Sequence, residues 1–255
     1  AKAVPALQKL VSDKGPDVAR AALYALGRIA NDKATGAILQ TLSKGPDTLK
    51  TPAADAALSA ARTMLDAGKT DSATVLYDAV AKAAVPTYVR TSAVYGAILA
   101  RGTASIPALI KQLKSNDPAL IAVALRAARE LTGAEVSLKL ANELSDTPPA
   151  VQAMLIKTLV DRRDPSARKA IASLADSKTP AVRLESLKAL GTIGDASSIP
   201  VLLKAAGAEG KDSTRALASL RSIKGDGVDA AILKGMTSAQ GDLKFKLISV
   251  LSDRS

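Results

Sequence analysis

A pattern that returns about every 31 residues constrains this chain more than any single motif does. Its clearest copy lies between Thr179 and Leu203. Val182, Ser186, Ala189, Leu190 and Ile193 stand there at offsets 0, +4, +7, +8 and +11. On a helix these positions share one face. Pro180 suits a first helical turn, where its missing N–H would have had no partner, and Thr179 before it is an N-cap candidate. Gly191 and Gly194 fall near the helix end, with Gly194-Asp195 as the stop. A second helix opens around Ser198 and runs through Ile199, Leu202 and Leu203. With Val182 as anchor, the matching positions are Val18, about Ala54, Val89, Leu120, Val151, about Asp212 and Leu243. The steps along the chain are 36, 35, 31, 31, 31, 30 and 31 residues. Proline stands two places before the anchor at Pro16, Pro52, Pro118, Pro149 and Pro180, and Pro5, Pro107 and Pro200 open the partner helices. A fixed period of this length predicts a stacked array of supersecondary units.

The pattern predicts an all-α chain of about eight helical hairpins, forming one solenoid over residues 1–255 with no second domain. The expected pairs are Ala3–Val11 with Asp17–Ala30, Ala34–Leu42 with Ala53–Asp66, Asp71–Ala83 with Thr87–Ala100, and Ser105–Lys114 with Pro118–Leu131. They continue with Ala134–Leu144 and Pro149–Arg162, Pro165–Leu174 and Pro180–Ile193, Ser198–Ala205 and Ser213–Ile223, and Val228–Met236 and Asp242–Ser252. In the second pair, Ser43–Pro52 reads as an elongated surface loop. The chain starts and stops in register and shows no evident polar cap at either end. That is expected of a segment of a longer polypeptide, or of a mature chain without its leader; polar enough terminal helices are the alternative.

Composition fits thin layers. There are one Phe, four Tyr and no Trp in 255 residues, so Ala, Leu, Val and Ile do the packing. Cysteine is absent, which excludes disulfides and leaves the compartment open between cytoplasm and bacterial periplasm. No signal peptide is visible, and no apolar run is expected to span a membrane.

The segments Asp17–Asp32 (D-V-A-R-A-A-L-Y-A-L-G-R-I-A-N-D) and Pro180–Asp195 (P-A-V-R-L-E-S-L-K-A-L-G-T-I-G-D) resemble HEAT repeats, in the short bacterial form related to phycobilisome-lyase-type repeats. The resemblance covers essentially the whole chain. It implies a right-handed α-α superhelix whose second helices line the concave side. It says little of function, because such arrays serve many roles.

On those second helices, offsets +2, +6 and +9 point away from the packed face. At +6 stand Tyr24, Tyr95, Arg126, Lys157 and Lys188; at +9 stand Arg129 and Arg221; Arg20 stands at +2. Arg90, next to the anchor Val89, is grouped with them. The expectation is a basic ladder of about one residue per repeat, free of Asp and Glu, with two tyrosines toward its N-terminal end. With 35 Lys and Arg against 24 Asp and Glu, the net charge of +11 favours anionic partners. A solvated face that merely keeps the protein soluble fits the same residues.

Catalysis finds little support. Without His or Cys there is no imidazole base, thiol nucleophile or usual transition-metal cluster, so no cofactor and no metal site is expected. HEAT-repeat di-iron hydroxylases depend on His-Glu pairs, and HEAT-like DNA glycosylases on an aromatic-lined cleft. Ser166-Ala-Arg-Lys169 matches S-x-x-K formally, but it follows Asp164-Pro165 at a helix start. The expected function is a non-catalytic scaffold gripping an acidic protein partner, or a neighbouring domain of its own polypeptide. An electrostatic nucleic-acid binder and a bilin-lyase-like enzyme are the alternatives.

Overall fold

The computed structural model describes residues 2–254. It is helical, with no strand among the described residues. The chain divides into two compact units, one up to Glu130 and the other from Leu131. The first holds α1 (Val4–Leu10), α2 (Pro16–Ile29), α3 (Asp32–Lys44), α4 (Asp47–Asp66), α5 (Thr70–Lys82), α6 (Thr87–Arg101), α7 (Ile106–Leu113) and α8 (Pro118–Glu130). The second holds α9 (Ala134–Asn142), α10 (Pro149–Arg162), α11 (Arg168–Ser173), α12 (Pro180–Ile193), α13 (Ile199–Ala206), α14 (Gly210–Ser222), α15 (Val228–Ser238) and α16 (Gly241–Ser252). Within each unit every odd-numbered helix packs on the even-numbered one after it. Even-numbered helices also follow one another side by side, α2 on α4, α6 on α8, α10 on α12 and α12 on α14. This neighbour-only packing is the fold that the period predicts.

The periodic face of α12 is buried as expected. Val182, Ser186, Leu190 and Ala189 are at most 1% exposed, and Ile193 6%. Gly191 is what lets α14 come close: a Cβ there would stand 2.8 Å from the Ser219 Cα. In that close approach the Ser219 hydroxyl donates to the Leu187 carbonyl at 2.8 Å, and the Ser222 hydroxyl to the Gly191 carbonyl at 3.1 Å. Thr179 holds the N-cap position, but its side chain makes no capping bond; Pro180 alone marks the helix start.

Three expectations need correction. Ser43–Pro52 is not a long loop. It holds the end of α3, a short Gly45-Pro46 joint and the first turns of α4, with Pro52 inside the helix. Proline in that position misled the reading, because it marks first turns elsewhere in the chain. Leu49, 31 residues after Val18, is the first buried residue of α4. The apolar anchor also fails at two places. Val18 is 42% exposed, since no second helix precedes α2 among the described residues, and Asp212 instead pairs with Arg183 at 2.7 Å. Finally, Thr87–Leu113 is long and apolar enough to cross a membrane by length and composition. It folds as α6, a 3-10 turn at Gly102–Ser105 and α7, burying Val89, Ala97, Ile98, Leu109 and Leu113 in the first unit.

The joints of the second unit are held by arginines. At the end of α10, Arg162 donates from Nε to the Ser137 hydroxyl at 2.8 Å and from Nη2 to the Gly133 carbonyl at 2.8 Å. Its Nη1 donates to the Leu131 carbonyl. Arg168 donates to the Ile193 carbonyl and pairs with Asp195 at 2.7 Å. Arg254 reaches the Leu220 and Ile223 carbonyls at 2.7 and 2.6 Å. Leu131, Ile193, Leu220 and Ile223 lie at or just past helix C-termini, where carbonyls lack an intrahelical partner, while Gly133 is the N-cap of α9.

Asp195 is the matching acidic element. It accepts from the Ser197 hydroxyl at 2.6 Å and the Ser197 N–H at 3.0 Å. The Ser197 hydroxyl bond, then the Ser197 N–H and Arg168, hold its carboxyl below the usual range against an opposing effect of burial. A depressed carboxylate contributes stability above its unfolded pKa, and that contribution is lost as pH falls through the lower folded value. Wild type should therefore lose more stability than Asp195→Asn between neutral pH and pH below about 4. Equal acid limbs in urea unfolding at the two pH extremes would refute this.

Candidate functional site

In the first unit, Arg20 is paired with Asp17 one turn back, and Tyr24 is 65% exposed beside it. Both line a groove against Thr51 and Asp55 of α4. Asp55 lies six residues after Leu49, so once α4 starts at Asp47 it occupies the ladder position. The expected freedom from acidic residues is thus corrected: misplacing the start of α4 hid Asp55. The groove strips water from Asp55 and pushes its carboxyl above the ordinary range.

Tyr95 and Arg126 are brought together. The Arg126 guanidinium lies over the Tyr95 ring, 4.3 Å from its centroid, a cation–π contact. The Tyr95 hydroxyl donates to Glu130, and Arg126 pairs with the same carboxylate at 3.5 Å. Burial, then the hydrogen bond and charge of Glu130, push the Tyr95 phenol up, while Arg126 opposes them. Glu130 stands four residues after Arg126, the spacing of a helical ion pair, and was legible on that ground.

Two other members of the expected ladder are turned to structural use. Arg90 donates to the Val85 carbonyl at 3.1 Å and to the Thr87 hydroxyl, bracing the start of α6. Arg129 donates to the Leu125 carbonyl of its own helix at 3.1 Å.

In the second unit, Lys157 reaches Glu185 of α12 at 3.8 Å, and Arg221 pairs with Asp253 at 2.6 Å. Lys188 is exposed. A groove of about 690 Å³ beside α14 is lined by Leu184, Arg215, Leu217 and Lys246. Carboxylates therefore stand beside most of the cations singled out from the sequence, and the net positive charge of these faces is lower than a bare ladder would give.

A cavity of about 460 Å³ opens in the first unit where the C-terminal half of α4 parts from α6. Leu58, Leu65, Leu99 and Val123 form its apolar lining, with Tyr95 and Arg126 at one side and Arg62 and Asp66 at the other. Tyr77 of α5 reaches this face because residue 96 is glycine. A Cβ on Gly96 would lie 2.4 Å from the Tyr77 ring. Burial pushes the Tyr77 phenol up, with Arg62 opposing and Asp66 adding to it. Tyr77 and Arg62 carried no signal in the sequence reading, since neither falls on a ladder offset.

Residues 137–222 match the model of HEAT repeats. Among solved structures, a chain of the complex in which Kap95p acts on the switch loops of RanGDP shares the fold. That likeness has a TM-score of 0.50 at 11% identity, over 99% of this chain and 45% of that one. This chain thus spans less than half the length of that neighbour. Human deoxyhypusine hydroxylase in complex with glycerol aligns over 88% of this chain and 85% of its own, at 15% identity and a TM-score of 0.43. No curated protein sequence matches the chain.

Proposed function

We propose that this chain is a non-catalytic scaffold that binds an acidic protein segment, from a partner or from another module of its own polypeptide, on its second-helix faces. One observation carries the reading: Tyr24 of α2, Arg126 of α8, Lys157 of α10 and Lys188 of α12 are exposed at equivalent positions of their second helices. Tyrosine and arginine are the side chains that most often anchor protein interfaces. The charge excess supports an acidic partner. Residues 1–130 alone hold 17 Lys and Arg against ten Asp and Glu. HEAT-repeat folds present long surfaces of this kind, built from stacked hairpins.

The test is Arg126→Glu, Lys157→Glu and Lys188→Glu in one chain, read against a fluorescein-labelled ten-residue glutamate peptide and a single-stranded DNA of equal length. The triple variant should bind the peptide at least tenfold more weakly, with unchanged helical circular dichroism. DNA binding should be the weaker of the two in the wild type. Tighter DNA binding, falling steeply with salt as phosphate contacts require, would replace this reading with a nucleic-acid one.

A further inference from the structure

We infer that the cavity between α4, α6 and α8 is a specificity pocket: it takes one large apolar side chain of an acidic peptide, whose neighbouring carboxylate or carbonyl meets Tyr77 and Arg62. The inference rests on the reading of the second-helix face as a protein-binding surface.

Four observations lead to it. The cavity holds about 460 Å³, within the range of ligand pockets and ample for a leucine or phenylalanine side chain. Its lining is apolar where a side chain would rest, at Leu58, Leu65, Leu99 and Val123. Tyr77 lines it with a buried ring, and its hydroxyl stays open to the cavity and makes no hydrogen bond among the described residues. A phenol hydroxyl open at a pocket wall is free to donate to a group that arrives with a ligand. The absence of a Cβ at residue 96 makes room for the ring against α6, which seats the phenol at the cavity.

The rim supplies the sign of the partner. Arg62 makes no ion pair among the described residues, although Asp66 lies one turn away on the same helix and also lines the cavity. Arg126 is fixed over Tyr95 by Glu130, so that wall is already set before anything binds. The phenol of Tyr77 can donate, and the Arg62 guanidinium can donate, so a carboxylate or carbonyl oxygen satisfies both. The charge excess of this unit draws in an acidic segment, and the apolar lining then selects among such segments by side-chain size.

The experiment uses fluorescein-labelled decapeptides of glutamate and serine with Ala, Leu, Met or Phe at one central position, measured by fluorescence anisotropy. Wild type should bind the best of the Leu, Met and Phe peptides at least tenfold more tightly than the Ala peptide. Ser92→Trp, at an exposed position on the cavity's edge, should fill the space and abolish that preference while leaving Ala-peptide binding within about twofold. Tyr77→Phe should weaken the preferred peptide about tenfold and the Ala peptide little. Circular dichroism and melting confirm that each variant folds. Equal binding of all four peptides, or a preference untouched by both substitutions, overturns the pocket while the acidic-segment reading stands. No binding of any peptide overturns both.

Discussion

Leu190→Ala should lower the stability of this protein by about 2–5 kcal/mol, the range for a leucine emptied from a packed core. Leu190 is fully buried in the last turn of α12, a helix that packs on its hairpin partner α11 and on α14. Its neighbours have little freedom to collapse into the space. Gly191 already holds α14 at close range, and the serine bonds from Ser219 and Ser222 fix that distance. A cavity that cannot close keeps the cost toward the upper part of the range. Urea unfolding followed by circular dichroism checks it. A change below about 0.5 kcal/mol, the usual surface range, would mean that α12 turns another face to its neighbours.

Arg162→Ala should cost about 2–4 kcal/mol, although most surface arginines cost almost nothing when removed. Its guanidinium serves two carbonyls and one hydroxyl in the segment that precedes α10: Leu131, Gly133 and Ser137. Burial holds its pKa below the usual arginine value, while Asp164 opposes that effect. Truncation therefore removes a donor from the Leu131 carbonyl and leaves the Gly133 carbonyl with only the Val136 N–H. Arg162→Lys should recover only part of the loss, because an ammonium cannot match the fork of a guanidinium. Full recovery by lysine would show that the charge alone matters. Hydrogen exchange offers a second reading, since protection at the α9–α10 joint should fall before that of α12.

The array of hairpins was legible because its causes are local. Each buried face needs only aliphatic residues at helical spacing, a proline near the start and a glycine near the end. Val182, Ala189 and Leu190 carried that information, and their burial follows directly. Pro52 defeated the same logic, since a proline that opens a helix and one lying inside it look identical in sequence. One misplaced start then concealed Asp55. The site was less legible because it depends on which carboxylate each cation finds. Arg126 with Glu130 is a local pair, but Lys157 with Glu185 and Arg221 with Asp253 join different helices. Tyr77 is the extreme case. Its place on the cavity depends on a glycine 19 residues further on, in another helix, whose only contribution is a missing methyl group.

The fusion of α6 and α7 into one greasy tract bears on how the chain reaches its folded state. Thr87–Leu113 spans 27 residues and carries only Arg90, Arg101 and Lys111 as charged groups. During synthesis it emerges before α8, which later covers part of it, has been made. For that interval its apolar surface is exposed, the condition that favours aggregation of a partly folded chain. The kink at Gly102, where the backbone turns through φ 56°, splits it into two short rods, neither of which spans a bilayer alone. The packing of α8 on both α6 and α7 is what draws the two halves of this tract into one hydrophobic layer.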